Sequence, residues 1–352
     1  MPAIFQPQKN KKPRELGLAM PAEWHPHEAT WLAWPHNAET WPGKLLKEVR
    51  DVYLQMVETL LASEKVHLLV NGTQEEDEVL RFLKSARVNM QNLILHRVPN
   101  EDVWIRDYGP IFLTGKEKQK AWCKWTFNAW GEKYDSLKKD NQVFETTGLV
   151  PFPSFQPGIV LEGGSIEVNG AGTCLTTEQC LLNPNRNRKL SRQEIETFLE
   201  DYLGVRHVVW LGNGIAGDDT DGHIDDIARF VNPNTIILVF EENADDTNHK
   251  ILRENRERLQ RSEDQDGKKL NVVELSMPRP VVEGDRLPAS YANFFIANKA
   301  VLVPVFKDPQ DDRAIKILSE LFPKHEIVPI NCLSLVHGLG AIHCVTQQEP
   351  AA

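Results

Sequence analysis

No apolar run in the 352-residue chain approaches the ~20 residues that a membrane-spanning helix needs. The longest pieces are "TIILVF" and "AVLVPVF". The first twenty residues, "MPAIFQPQKNKKPRELGLAM", hold three prolines and scattered lysines but no apolar h-region, so a signal peptide is not expected and a cytoplasmic location is. A basic excess is also missing. Lys and Arg number 40 against 50 Asp and Glu, a formal net charge of -10, which argues against nucleic acid as a partner and mildly favours cationic small molecules. The five cysteines, at 123, 174, 180, 332 and 344, are odd in number and form no C-x-x-C pair. That excludes a disulfide framework and a zinc knuckle, and leaves at least one free thiol.

What is present is an ordinary globular composition, 41% hydrophobic and 26% charged. Apolar residues recur at three- and four-residue steps over 43–62, 191–203 and 309–322, which predicts amphipathic helices. "TNHKILRENRERLQR" reads as a more polar helix. The 191–203 helix opens on Ser191 with Glu194 three residues on, a capping box, and stops before Gly204. Strand-like runs, among them "VHLLV", "NLILHRV", "GPIFL", "SIEV", "CLLN", "HVVWL", "IARFV", "TIILVF", "VVEL", "NKAVLVPVF" and "EIVPI", outnumber helices about two to one. A doubly wound parallel sheet would pair each strand with its own crossover helix, so a repeated β-β-α-β unit in a radial α/β arrangement fits better. The polar stretches 131–148 and 262–271 read as surface loops and not as linkers, which gives one domain.

Four segments could carry chemistry. "DDTDGHIDD" (218–226) sets five aspartates around His223. It suits a metal trap, an acid-base site or a solvated turn. A calcium loop fails, because aligning Gly222 with its invariant glycine puts Gly217 at the first ligand position and Ala228 where a bidentate Glu belongs. Zinc would need more His or Cys at ligand spacing, while magnesium on one or two aspartates stays open. "EDVWIRDYGP" (101–110) places Trp104, Arg106 and Asp107 before a turn, as a charged loop also would. "LEGGSIEV" (161–168) sets Glu162 against two glycines, which permit close approach of a ligand or a β-bulge. "GLGAIHCVTQQEP" (338–350) puts Cys344 beside His343, where an inert core cysteine is the alternative.

A thiol, an imidazole and several carboxylates together are what cleaving a guanidinium C–N bond requires. Asp107 and Asp225 would grip the planar cation through paired hydrogen bonds. Cys344 would attack its carbon as the thiolate, and His223, held by Glu162, would donate and then remove a proton.

These segments resemble the agmatine deiminase family, which includes bacterial peptidylarginine-deiminase-like enzymes of the guanidino-group-modifying superfamily. The likeness runs from "MPAEWHPHEATWLAWPHNAETWP" (20–42) through "WIRDYGP", "LEGGSIEVNGAGTCLTTEQCLLNPNRN", "DDTDGHIDD" and "YANFFIANKAVLVPVF" to "IHCVTQQEP", nearly the whole chain. It implies a five-bladed pseudo-symmetric α/β propeller of ββαβ units, with the site at its centre and neither metal nor organic cofactor. It also implies Cys344 as nucleophile, His223 as acid and base, Glu162 as its orienter, Asp107 and Asp225 as the clamp, and Trp104 lining the channel. Of the five aspartates only Asp225 then meets substrate; Asp218, Asp219, Asp221 and Asp226 shape the loop or meet solvent. Because the likeness starts at Met20, residues 1–19 read as an extension, with disorder the expectation, before a catalytic domain over 20–352.

"GLGAIHC" departs from the glycine-rich, Asn-bearing run typical of agmatine-specific members, which puts Leu339 and Ala341 near the substrate path. Agmatine calls for aromatic or acidic walls, whereas free arginine or a peptide C-terminal arginine calls for an added cation. Trp24, Trp31, Trp34 and Trp41 could form such a wall, although core packing is their commoner use. Agmatine deiminase is the leading expectation and an arginine deiminase the alternative. A non-catalytic polyamine or guanidine binder and a metal-dependent hydrolase are the readings from other classes. A homodimer is the expected assembly.

Overall fold

The computed structural model describes residues 11–146 and 148–352. Five sheets repeat one plan: a short first strand pairs antiparallel with a second, which pairs parallel with a third reached through helix. In chain order the second strands are His27–Ala33, Lys120–Cys123, Thr173–Thr177, Thr235–Phe240 and Ala300–Val305. Their antiparallel partners are Gln347–Pro350, Ile111–Thr114, Glu167–Val168, Ala228–Asn232 and Phe295–Ile296. Their parallel partners are Lys65–Val70, Ser154–Phe155, His207–Leu211, Asn271–Ser276 and Glu326–Asn331. The first sheet gains a fourth strand, Leu93–Arg97, through the helix Thr73–Ser85. This is the five-bladed α/β propeller. The first blade takes its antiparallel strand from the C-terminal end of the chain, which closes the ring. No helix among the described residues is long and apolar enough to cross a membrane.

Parallel pairing forces a crossover, and the amphipathic segments supply it. Leu45–Leu61 buries Val49, Val52, Tyr53, Met56, Val57, Leu60 and Leu61. Arg192–Leu203 is capped by Ser191, with Glu194 closing the box, and ends on Gly204 in the left-handed region at φ 70°. Thr247–Arg261 and Asp311–Leu321 fill the same role in the last two blades. Expected "CLLN" is not a strand: Glu178–Leu181 is a helical turn whose start is capped by Thr177 Oγ1 accepting from Cys180 N. Its apolar pair mimics strand composition, and four residues are too few to show a period.

The stretch 131–148 is not a plain surface loop either. Described through Thr146, it holds the turn of 3-10 helix Ser136–Gln142 and buries Asp140, Val143 and Phe144. Of the expected extension 1–19, residues 1–10 lie outside the described residues. Further on, Leu18 is buried, and Ala19 and Thr114 exchange two 2.9 Å backbone hydrogen bonds.

The blades meet around a polar axis. Arg229 pairs with Glu167 at 2.9 Å and Glu23 at 2.9 Å, and donates to the carbonyls of Ala292 and Phe294. Arg106 donates to the carbonyl of His343 and to Gln348. Each guanidinium is buried, so each needs these partners to offset its desolvation.

Candidate active site

In every blade the segment leading into the first strand reaches this axis. Asp107 lies in the helical turn Ile105–Tyr108 ahead of Ile111, and Glu162 opens the turn Gly163–Ser165 ahead of Glu167. His223 and Asp225 belong to the turn ahead of Ala228, Asn293 precedes Phe295, and Cys344 precedes Gln347. Sequence-distant groups therefore converge because the blades are equivalent.

Asp107 accepts hydrogen bonds from Gly164 N at 2.9 Å and Trp130 Nε1 at 2.8 Å. Asp225 Oδ2 lies 2.8 Å from His343 Nδ1 and 3.7 Å from Cys344 Sγ. His223 Nδ1 is 3.8 Å from Asp107 and 4.0 Å from Asp225. Neither ring nitrogen of His223 has a hydrogen-bond partner among the described residues, nor do Asp225 Oδ1 and Glu162 Oε2. Buried polar atoms seldom go unpaired, and four clustered at one place mark a binding surface for a donor-rich group. Glu162 is not hydrogen-bonded to His223: its Oε1 accepts from Arg186 Nε at 2.6 Å. One Glu162 oxygen, one His223 nitrogen and Cys180 Sγ nonetheless lie within 4.8 Å of one another.

The aspartates of 218–226 divide by role. Asp218 folds the loop, accepting from the backbone of Thr220, Gly222 and His223 and from the Thr220 hydroxyl. Asp221 accepts from Arg186 and Asn185, and Asp219 from Tyr134 at the rim. Asp226 is fully buried and accepts from Asn293 Nδ2 at 2.9 Å.

Charge crowding sets the protonation. Burial, with Asp225 and Glu162 adding repulsion, pushes Asp107 well above the usual carboxylate range. Burial would raise Asp225 as well, but the hydrogen bond and charge of His343 hold it below its ordinary value. Burial pushes His223 down to about 3, with Asp225 opposing and Arg186 assisting, so its ring is neutral. Burial, then Asp225, Asp226 and Asp107, push the Cys344 thiol well above its usual range. A cation entering here would relieve repulsion among the acids and favour the thiolate.

Trp104, Asp107 and Cys344 line a cavity of about 300 Å³. Trp130, Tyr134 and Leu339 complete its apolar wall, while Glu39, Asp102 and Asp219 supply acids. Among the described residues, neither Lys nor Arg lines it. Arg106, beside Asp107 in sequence, turns into the axial network instead. Ala341 is buried away from the wall, and Trp24, Trp31, Trp34 and Trp41 do not line it. Trp41 backs the wall through Trp104, ring centres 5.7 Å apart, so the tryptophan cluster packs the core.

Sequence reasoning missed Trp130, Asn293 and Glu23. Trp130 borders a stretch read as loop, and its left-handed backbone, φ 53° before Gly131, is the kind of strain that functional sites keep. Asn293 sits in "YANFF", where an amide carries no chemical signal of its own. Among the described residues, two buried groups could offer metal ligands: Glu162, Cys180 and His223, and Asp225, Asp226 and Cys344. Each mixes a thiol with one or two carboxylates already engaged by Arg186, His343 or Asn293, a poor donor set for a hard cation such as magnesium.

A family model described as Porphyromonas-type peptidyl-arginine deiminase matches residues 19–350. The chain is 36% identical over 368 residues to the agmatine deiminase of Pseudomonas aeruginosa strain LESB58, covering 96% of this chain and 97% of that one. It is 35% identical over 366 residues to the agmatine deiminase of Ectopseudomonas mendocina strain ymp, with coverages of 96% and 97%. Among solved structures, the agmatine deiminase of Enterococcus faecalis superposes with a TM-score of 0.90 at 32% identity, covering 99% of this chain and all of that one.

Proposed function

The chain belongs to the Porphyromonas-type peptidyl-arginine deiminase family, and from that premise we propose that it is a C–N hydrolase of linear amidines that converts agmatine to N-carbamoylputrescine and ammonia. The observation that carries the choice of substrate is the cavity wall, which holds Glu39, Asp102, Asp107 and Asp219 and, among the described residues, no Lys or Arg. Agmatine is a dication, and its amine suits an acidic wall. Arginine, free or at a peptide C-terminus, brings a carboxylate that this wall repels.

In this reading the guanidinium stacks on Trp104 and donates to Asp107 and to the unpartnered Asp225 Oδ1. Its charge lowers the thiol of Cys344. The proton passes to neutral His223 by way of Asp225, which lies 3.7 Å from Sγ and 4.0 Å from His223 Nδ1. Sγ then bonds to the guanidinium carbon. His223 returns the proton to one amino nitrogen, the C–N bond breaks, and ammonia leaves a thiouronium on Cys344. Water loses a proton to His223 and adds to the same carbon. As the adduct collapses to the ureido product, the C–S bond breaks, Sγ is reprotonated and the hydroxyl proton passes to solvent. Glu162, anchored by Arg186, lies close to the imidazole without a hydrogen bond to it and would receive a ring N–H once His223 is protonated.

Ammonia and ureido product are measured with agmatine, L-arginine and a C-terminal-arginine peptide. Agmatine is expected to have the highest kcat/KM, and Cys344→Ser to lose turnover while still binding agmatine. Preference for either arginine substrate sinks the assignment, and turnover by Cys344→Ser sinks the mechanism. The buried free thiols suit a reducing cytoplasm, and the reading takes the protein as a homodimer on the route to putrescine. Light scattering tests the assembly.

A further inference from the structure

Four of the five blades bring a group of the proposed reaction to the axis from the segment before their first strand: Asp107, Glu162, Asp225 and Cys344. The fifth brings Asn293, which the proposed reaction leaves without a part. It is completely buried, and every polar atom of its side chain is engaged. Oδ1 accepts from His343 N at 2.9 Å and from Cys344 N at 3.3 Å. Those two backbone donors fix which end of the amide is which. The NH2 end therefore faces Asp226 Oδ1 at 2.9 Å and Cys344 Sγ at 3.1 Å.

We propose that Asn293 is a further catalytic residue, whose side-chain N–H donates to Cys344 Sγ and stabilises the sulfur as a thiolate before it attacks. A neutral thiol is a weak acceptor, whereas a thiolate is a strong, charged one, so this hydrogen bond gains strength on ionisation. The remaining titratable groups set against the sulfur are Asp225, Asp226 and Asp107, all carboxylates that oppose its negative charge. A backbone hydrogen bond at Ala341 opposes them, and Asn293 brings a neutral side-chain donor to the sulfur. Its second N–H ties Asp226, and its carbonyl holds the backbone of the nucleophile, so the donor arrives already oriented. As the thiouronium is hydrolysed, the same N–H receives the departing sulfur. The role rests on Cys344 being the nucleophile of the proposed deiminase.

Asn293→Asp tests it. The carboxylate keeps the size of the amide and the acceptor for the two backbone N–H groups, but when ionised it has no proton to give. Asn293→Ala removes both functions. Thiolate formation is read without substrate, from absorbance near the ultraviolet thiolate band and from the iodoacetamide alkylation rate of Cys344 against pH, with Cys344→Ser as the blank. Turnover of agmatine is read in parallel. Both variants are expected to lose about 10²-fold in kcat with a much smaller change in KM, and to move the pH of thiolate formation upward. Circular dichroism restricts the comparison to folded protein, and Asn293→Asp remains informative if Asn293→Ala does not fold. Wild-type kcat with an unmoved alkylation profile in Asn293→Asp overturns the role. A wild type that fails to turn over agmatine while its alkylation profile still depends on Asn293 sinks the deiminase reading and leaves the contact standing.

Discussion

Gly164 lies where a side chain cannot. A Cβ there would sit 2.5 Å from His223 Nδ1, 2.9 Å from Asp107 Oδ1 and 3.0 Å from Asp225 Oδ2, three atoms of the proposed site at once. Its backbone N–H meanwhile steers Asp107. Gly164→Ala should therefore leave the fold intact and displace the clamp by a fraction of an ångström or more, lowering kcat/KM by about 10²-fold. Steady-state kinetics beside a thermal melt check this; wild-type kinetics would mean that the clamp tolerates displacement. The glycine pair was visible in "LEGGSIEV", though a β-bulge was an equal reading. Asp107, His223, Asp225 and Cys344 were legible as candidates because a carboxylate, an imidazole and a thiol advertise their chemistry. Glu162 was legible as a residue, but Arg186 was not legible as the partner of its Oε1, since nothing in sequence says which cation lands on a buried acid. Asn293 and Trp130 stayed hidden for the opposite reason: amides and tryptophans serve cores far more often than sites.

Among elements, those with a long period or a cap were readable. The helices Leu45–Leu61 and Arg192–Leu203 follow their apolar spacing within about two residues. The helix Thr73–Ser85 was not readable, because it buries only Val79 and Leu83. The two-residue first strand Phe295–Ile296, absent from the strand-like runs, is too short to alternate. Strand pairing also makes something that no single strand shows. Lys65–Val70 and Leu93–Arg97 bring His67 Nδ1 and His96 Nε2 to 2.7 Å, with both rings stacked on Trp31. Burial first, then the charges of His96, Lys65 and Lys120 against Glu28, hold His67 down to about 4, below the ordinary 6.5. Between those values the unfolded chain binds the proton more readily, so stability rises with pH across this window and falls on acidification from 6.5 toward 4. The urea midpoint should drop between about pH 7 and about pH 5, and His67→Gln should flatten that drop. An equally steep drop in the variant would assign the acid sensitivity to other groups.

At the scale of the whole molecule, composition and strand count pointed to a radial α/β arrangement, while the number of blades came only through resemblance. The closing contact was not legible at all. Gln347–Pro350 has no apolar alternation to mark it as a strand, yet all four residues are buried. It pairs antiparallel with His27–Ala33, matching Trp31 to Gln347 and Thr30 to Gln348. Contacts beyond the ladder seal it: Lys120 pairs with Glu349 at 2.9 Å, Trp31 Nε1 on the paired strand donates to Glu349 at 2.9 Å, and Gln347 donates to the backbone carbonyl of Pro110 at 2.8 Å. Polar residues lie inside here because a closed ring buries its seam on both sides. Glu349→Gln keeps the shape and one acceptor but leaves the buried Lys120 ammonium without a counter-charge, which should cost about 3 kcal/mol. Because Glu349 is not on the cavity wall, activity per folded molecule should survive. Deleting residues 347–352 removes the strand itself and should yield a chain that does not fold cooperatively, although Cys344 is retained. Urea unfolding of the two variants, with agmatine turnover normalised to folded protein, is the measurement. A truncated chain that melts like the parent would mean that the ring does not depend on this seam.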